Sequence, residues 1–134
     1  MTEFKSNPVV IKASQEKIYC FLEDFRNFNN LLPDQIENWN ATHDKCSFRI
    51  KGLADIELYI KEREPLRTIV IESNPKPIPL RINHNIELID ENYTKYTVTI
   101  EVELNGFLSM VVANPLKNLV NVISERLKNF MESS

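Results

Sequence analysis

The chain has 134 residues, enough to bury a real core without disulfide staples. Its 43% hydrophobic and 26% charged residues are the values of a globular protein, not of a disordered chain. A net charge of −3 and no local run of Lys and Arg exclude a nucleic-acid binder that works by neutralising phosphates.

The N-terminus reads MTEFKSNPVV, with charges and no apolar stretch, so no signal peptide is expected there. No segment approaches the ~18 apolar residues of a membrane span, so no membrane insertion is expected. Cys20 and Cys46 are too few for a disulfide framework and read as thiols of a reducing compartment, which makes the cytoplasm the expected location. There is no internal repeat and no linker, so the expectation is a single domain over residues 1–134.

In chain order, a strand is expected within residues 2–12, with Pro8 marking an edge position or a bulge. Ser14 is a good N-cap for a first helix, Glu16 suits its first turn, and Ile18, Phe21, Leu22 and Phe25 have helical spacing. Asn29, Asn30 and Pro33 end that helix and leave room for one more short helical turn. A second strand is expected over 37–43. Then Cys46, Phe48 and Ile50 alternate with Ser47, Arg49 and Lys51 up to a turn at Gly52. Ala54, Ile56, Leu58 and Ile60 alternate with Asp55, Glu57, Tyr59 and Lys61, and Glu64-Pro65 ends that strand. Ile69 and Ile71 belong to the next strand, which stops at Asn-Pro-Lys-Pro-Ile-Pro, where prolines cannot donate to a ladder.

The sharpest alternation comes last. Leu80, Ile82, His84, Ile86 and Leu88 share one face; Tyr96, Val98, Ile100, Val102 and Leu104 share another. Asp90-Glu91-Asn92 between them is a hairpin signal. The chain closes with a long helix from about Gly106 to Met131, whose stripe is Leu116, Leu119, Val120, Ile123, Leu127 and Phe130. Pro115 inside it predicts a bend near Ala113–Asn114 and makes 106–114 the expected gate to an interior pocket. Each strand has one apolar face, and the long helix is the large apolar element left to cover them all.

This order, with the segment IYCFLEDFRNFNNLLP after the first strand, resembles the helix-grip superfamily, also called SRPBCC, which includes START lipid-transfer domains, polyketide cyclases and the birch-pollen allergen. Ile18, Leu22, Asp24 and Asn27 fit the pattern of its first helix. The resemblance covers essentially the whole chain. It implies an α+β fold in which a curved seven-stranded antiparallel sheet wraps around the long C-terminal helix. It also implies two short helices between the first and second strands and a pocket between sheet and helix. With only Gly52 and Gly106 in the chain, the allergen-type glycine-rich loop is missing, which speaks against a nucleotide role.

His84 is the polar exception in an aliphatic inward row. It reads either as a handle for a ligand or as a core histidine satisfied by a protein group. No Asp or Glu falls at an inward strand position, no Cys–His pair is expected to meet, and His43-Asp44 lacks zinc spacing. The residues therefore assign no catalytic group, metal or cofactor. Asp24, Arg26 and Asn27 read as local caps and pairs, and Glu62-Arg63-Glu64 as a charged strand end. The expected function is binding of a small hydrophobic or amphipathic ligand, lipid-like or polyketide-like. Its walls would be Phe48, Ile56, Leu58, Ile71, Ile82, His84, Ile86, Val98 and Ile100 from the strands and Leu108, Val111 and Val112 from the long helix. The expected cavity is a few hundred Å³. Two alternatives stay open: a polyketide cyclase or dehydrase with His84 as acid or base, and a protein-interaction module with a filled core. A homodimer is compatible with all three.

Overall fold

The first strand is broken in two at Ser6-Asn7-Pro8. Its halves, β1 (Thr2–Lys5) and β2 (Val9–Ile11), run antiparallel to one and the same neighbour, so Pro8 sits where the ladder needs no donor. In this computed structural model the described residues are 2–52, 54–76, 78–103 and 106–133, the side chains of 106–115 excepted. Helix α1 (Gln15–Leu22) follows, and a 3₁₀ turn (Phe25–Asn30) comes next. Ser14 Oγ accepts from Lys17 N at 3.2 Å, and Asp24 caps the 3₁₀ turn by accepting from Arg26 N at 2.9 Å. The Arg26 guanidinium closes on the same carboxylate at 2.7 Å, and Asn27 Nδ2 donates to Phe21 O at 3.0 Å, so this trio is structural.

Six strands complete the sheet: β3 (Ile36–Ala41), β4 (Lys45–Ile50), β5 (Ala54–Glu64), β6 (Thr68–Ser73), β7 (Leu80–Leu88) and β8 (Thr94–Val102). The order is β1-β8-β7-β6-β5-β4-β3, antiparallel throughout, with β2 also on β8. Counting β1 and β2 as one broken strand recovers the seven expected, in an open, curled sheet. The turn between β7 and β8 is held by Asp90, whose Oδ1 accepts from the backbone N of Asn92 and Tyr93 at 2.8 and 3.0 Å. Buried Ser73 ties the proline-rich loop to the sheet: its Oγ donates to Ile78 O at 2.9 Å and accepts from Leu80 N at 2.8 Å.

The alternation read from β7 and β8 is the register found. His84 pairs with Val98 and Ile86 with Tyr96, and all four are buried. One strand departs from simple alternation. In β3 the pairing steps from Glu37↔Arg49 to Asn40↔Ser47, so that Asn38 and Trp39 together oppose Phe48. This is a β-bulge, and Asn38 takes the left-handed conformation with φ 57° that the extra residue needs. Ile36, before the bulge, pairs with inward Ile50. After it the inward set is Trp39 and Ala41 instead of Asn38 and Asn40.

Helix α2 (Gly106–Ser133) closes the fold. Helix α2 runs without interruption through Ala113–Asn114, where a bend is expected, and the side chains of 106–115, among them Leu108, Val111 and Val112 of the expected gate, lie outside the described ones. Further along, Val120, Leu127 and Met131 are buried against the core, and α2 lies chiefly on β8, β2 and β1. Polar ties fix it there: Asn7 N donates to Asn121 Oδ1 at 3.0 Å, Lys12 N to Glu132 Oε2 at 2.9 Å, and Lys128 Nζ to Val10 O at 3.0 Å. On the far side, Arg126 donates to Leu32 O in the loop before β3. The helix therefore sits against one half of the sheet and stands off from β3 and β4.

Candidate functional site

That offset leaves a cavity. Its floor is the inward face of β4 to β8, its roof is one flank of the α2 stripe, and its end wall is the 3₁₀ turn. Leu116, Leu119 and Ile123 of α2 face it, while Val120 and Leu127 of the same stripe pack away from it. The volume is about 80 Å³, smaller than the few hundred Å³ expected from the sequence. The reason is aromatic filling. Phe25, Phe28, Trp39 and Phe48 form a cluster in which Trp39 stacks on Phe28 at 6.3 Å and on Phe48 at 5.7 Å between ring centroids. A void of 80 Å³ still forgoes packing worth about 2 kcal/mol, a noticeable part of a small domain's stability.

A groove of about 300 Å³ runs between α2 and the β3–β4 edge, and Ile36, Ile50, Leu116 and Leu119 line both spaces. These four side chains stand between interior and groove, at the point where a mouth joining the two would form. Gln35, Asn118 and Pro33 lie at the outer end, where the groove meets water.

Of the wall residues expected from the sequence, Phe48, Leu58, Ile71, Ile82, His84 and Ile100 surround the cavity. Ile56, Ile86 and Val98 point inward but are buried in the packed core beside it. Leu108 and Val112 lie outside the described side chains. Sequence reasoning missed Trp39, Phe28, Ile36 and the flank Leu116, Leu119 and Ile123. For Trp39 the available signal was Asn38: Asn accepts a positive φ, and reading both Ile36 and Trp39 as inward requires one extra residue between them.

Two polar side chains reach the interior from β7 and β8. His84 is 1% exposed and Tyr96 fully buried, with His84 Nδ1 2.6 Å from Tyr96 Oη. They occupy a diagonal of the β7–β8 ladder, His84 opposite Val98 and Tyr96 opposite Ile86, so both lie on the inward face; His84 is among the residues around the cavity, and Tyr96 is part of the packed core. Burial pushes the imidazole down to about 4 and the phenol well above its usual range, so the pair is neutral at pH 7. His84 Nε2 has no hydrogen-bond partner among the described residues, and neither has Trp39 Nε1, although both atoms are shielded from water. No Asp, Glu, Lys or Arg stands among the described lining residues.

Cys46 is separated from His84 by two intervening strands, β5 and β6, so no Cys–His dyad forms. Burial pushes its thiol up to about 12, which makes it an inert core group. His43 and Asp44 belong to an ion-pair cluster on the outside of the fold. His43 Nε2 lies 3.1 Å from both oxygens of the Glu23 carboxylate, and Arg63 Nη2 donates to Asp44 Oδ1 at 2.6 Å and to Glu23 O at 2.9 Å. Arg63 Nε is 3.2 Å from Glu23 Oε2 but is not aligned to donate. The cluster joins the end of α1, the β3–β4 turn and β5, so Arg63 is more than the charged strand end the sequence indicated. Among the described residues no group of His, Cys, Asp and Glu has metal-ligating geometry, and no helix is long and apolar enough to cross a membrane.

Neither the family models nor the curated proteins give a match to this sequence. Solved structures do. A START superfamily protein from Mycobacterium smegmatis superposes with a TM-score of 0.73 at 13% identity, covering 98% of this chain and 97% of that one. A norcoclaurine synthase point mutant from Thalictrum flavum, in complex with a transition-state analogue, gives 0.75 at 7% identity over 98% of this chain and 94% of its own. The Aha1 dimer from Colwellia psychrerythraea gives 0.68 at 19% identity over 98% and 97%. At these identities the likeness is one of architecture, and it extends from end to end. The curled antiparallel sheet, the short helices after its first strand and the long closing helix make up a START-like helix-grip fold.

Proposed function

We propose that this protein binds a small apolar or amphipathic molecule without covalent chemistry, one end inside the cavity and the remainder along the groove between α2 and β3–β4. The observation that carries this reading is an apolar cavity whose wall residues Ile36, Ile50, Leu116 and Leu119 also line a largely apolar groove that meets water. Cavity and groove lie on two sides of the same four side chains, so a small shift of those side chains joins them into one apolar track. The enclosed space alone is too small for a lipid tail, so occupancy beyond its innermost end requires the Phe28–Trp39–Phe48 rings to shift. That the Mycobacterium protein is a START protein, and that the Thalictrum enzyme holds a small-molecule analogue, is in keeping with the reading. Two free cysteines, one of them exposed, support action in a reducing compartment such as the cytoplasm. The homodimer expectation has a parallel in the Colwellia Aha1 dimer, and sedimentation tests it.

Titration with Nile red tests the binding reading. Saturable emission at one dye per chain is expected in the native protein, and Leu119→Trp, which fills the space between cavity and groove, is expected to weaken it at least tenfold. Unsaturable, stoichiometry-free binding in both proteins would sink the proposal.

One observation favours a second reading, acid–base catalysis on a polyketide-like substrate. Tyr96 stands within hydrogen-bond reach of His84 at 2.6 Å. An imidazole held at about 4 is a weak base at pH 7, and no carboxylate among the described residues orients it, so binding remains the better account. The third reading, a module with a filled core, has the cavity against it.

A further inference from the structure

Cavity and groove differ in the atoms they expose. Every atom that the cavity shows to its interior is carbon, although two nitrogen-bearing rings, His84 and Trp39, stand in its wall. Their nitrogens are covered. His84 Nδ1 is engaged with Tyr96 Oη at 2.6 Å, and His84 Nε2 and Trp39 Nε1 are both shielded from solvent. The two rings therefore show the cavity carbon, as the Phe, Leu and Ile side chains around them do. The groove is different. Gln35 and Asn118, both exposed, are the polar side chains among its described lining residues. Each is an uncharged amide with N–H donors and a C=O acceptor.

The contrast gives a ligand a direction. A hydroxyl, carbonyl or amide carried into the cavity gives up its water and meets only carbon, which disfavours that pose by about tenfold or more. A carboxylate or ammonium fares worse, because no Lys, Arg, Asp or Glu stands among the described lining residues. The same polar group left beside Gln35 and Asn118 keeps its water and gains amide partners. A hydrocarbon end leaves water at no such cost and supplies contacts that the cavity walls lack. Size limits that end. A cavity of ~150 Å³ takes a benzene ring, so one of about 80 Å³ takes roughly half as many carbon atoms. The rest of the molecule lies along Ile36, Ile50, Leu116 and Leu119, the side chains shared by the two spaces, once their shift has joined cavity to groove.

We infer that the ligand is an amphiphile bound hydrocarbon end first, with an unsubstituted tip of about three carbons in the cavity and its polar group outside, beside Gln35 and Asn118. This step rests on the ligand-binding reading and adds which end of the molecule is buried. His84 and Trp39 then act as wall, and neither ring's nitrogens touch the ligand.

Two isomers test the direction: 1,2-octanediol and 1,8-octanediol. Both carry two hydroxyls on the same carbon chain. The 1,2-isomer has a free hydrocarbon end, whereas the 1,8-isomer has a hydroxyl at each end. Affinities are measured by calorimetry and by displacement of Nile red, and each is divided by the isomer's octanol–water partition coefficient so that solubility cancels. On that scale the 1,2-isomer is expected to bind about tenfold or more tighter. Nuclear Overhauser contacts locate the two ends. The terminal methyl of 1,2-octanediol should lie against the methyl groups of Ile71, Ile82 and Ile100, and its hydroxyl-bearing carbons should lie near the side-chain amides of Gln35 and Asn118.

Equal corrected affinities would overturn the inference while the binding reading stands, and so would a 1,2-octanediol seated with its hydroxyls against Ile71, Ile82 and Ile100. If Nile red saturates but neither diol binds, the inference is again overturned and the binding reading stands. If Nile red does not saturate and neither diol binds, the binding reading itself falls and takes this inference with it.

Discussion

Acid should weaken this fold through His84. The ring is 1% exposed, and burial pushes it from 6.5 down to about 4. In the unfolded chain it titrates near its ordinary value. Between pH 6.5 and about 4 the unfolded chain therefore binds a proton that the folded chain refuses, and stability falls as pH falls through that window. At about 1.4 kcal/mol per pH unit the loss amounts to about 3 kcal/mol by pH 4, a sizeable share of a small domain's stability. Asp24, held at about 2 by the Arg26 guanidinium, and Asp44, Glu72 and Glu132, held low by Arg63, Arg81 and Lys128, add their own losses lower on the pH scale. The His84 share is therefore isolated by difference, using urea unfolding of the native protein and His84→Leu at half-unit steps from pH 7.5 to 4. At pH 7.5 the variant should be less stable by about 1–3 kcal/mol, because the Tyr96 hydroxyl loses its partner. As pH drops the gap should close and then reverse, since a leucine side chain has nothing to protonate. Stability curves that stay parallel over the whole range would refute the argument, and so would an imidazole resonance that titrates near 6.5 in the folded protein.

Further outcomes follow from particular side chains. His43 runs the other way from His84: the Glu23 carboxylate holds its ring above the ordinary value, so its contribution is present below about pH 6.5 and is lost as pH rises through the folded value, which NMR titration of the native protein and Glu23→Gln will show. Iodoacetamide should modify exposed Cys20 alone in the native protein and both thiols after unfolding, because burial keeps Cys46 protonated; mass spectrometry reads the count. Asn38→Val should cost about 1–2 kcal/mol and shift the emission of the single tryptophan to the red, since a β-branched residue resists φ 57° and Trp39 turns outward when the bulge relaxes. Leu66 sits at φ 68° in the exposed β5–β6 turn, and Leu66→Asn should raise the urea midpoint, gaining up to about 1 kcal/mol, with the slope unchanged.

What the sequence determined by itself is the set of faces. In β7 and β8, period-two alternation named the inward row, put His84 in it and placed Tyr96 on the matching row, because a pleated strand leaves a side chain only two directions. The long helix followed from the same logic: several half-apolar strands need one common cover, and the stripe from Leu116 to Phe130 was the element able to supply it. Those two inferences led to the helix-grip architecture. The tertiary structure decided everything that depends on distance between elements. Whether the α2 stripe packs or lines a space turns on which half of the sheet the helix lies against. It splits one stripe into Val120 and Leu127 in the core and Leu116 and Leu119 facing the cavity. The cavity's size turns on how far four aromatic rings from the 3₁₀ turn, β3 and β4 interdigitate, and no local pattern encodes that. Trp39 shows the boundary best. Alternation carried through β3 from Ile36 turns it to solvent, and a single residue at positive φ reverses the strand's two faces, because one inserted residue in a period of two exchanges inside for outside.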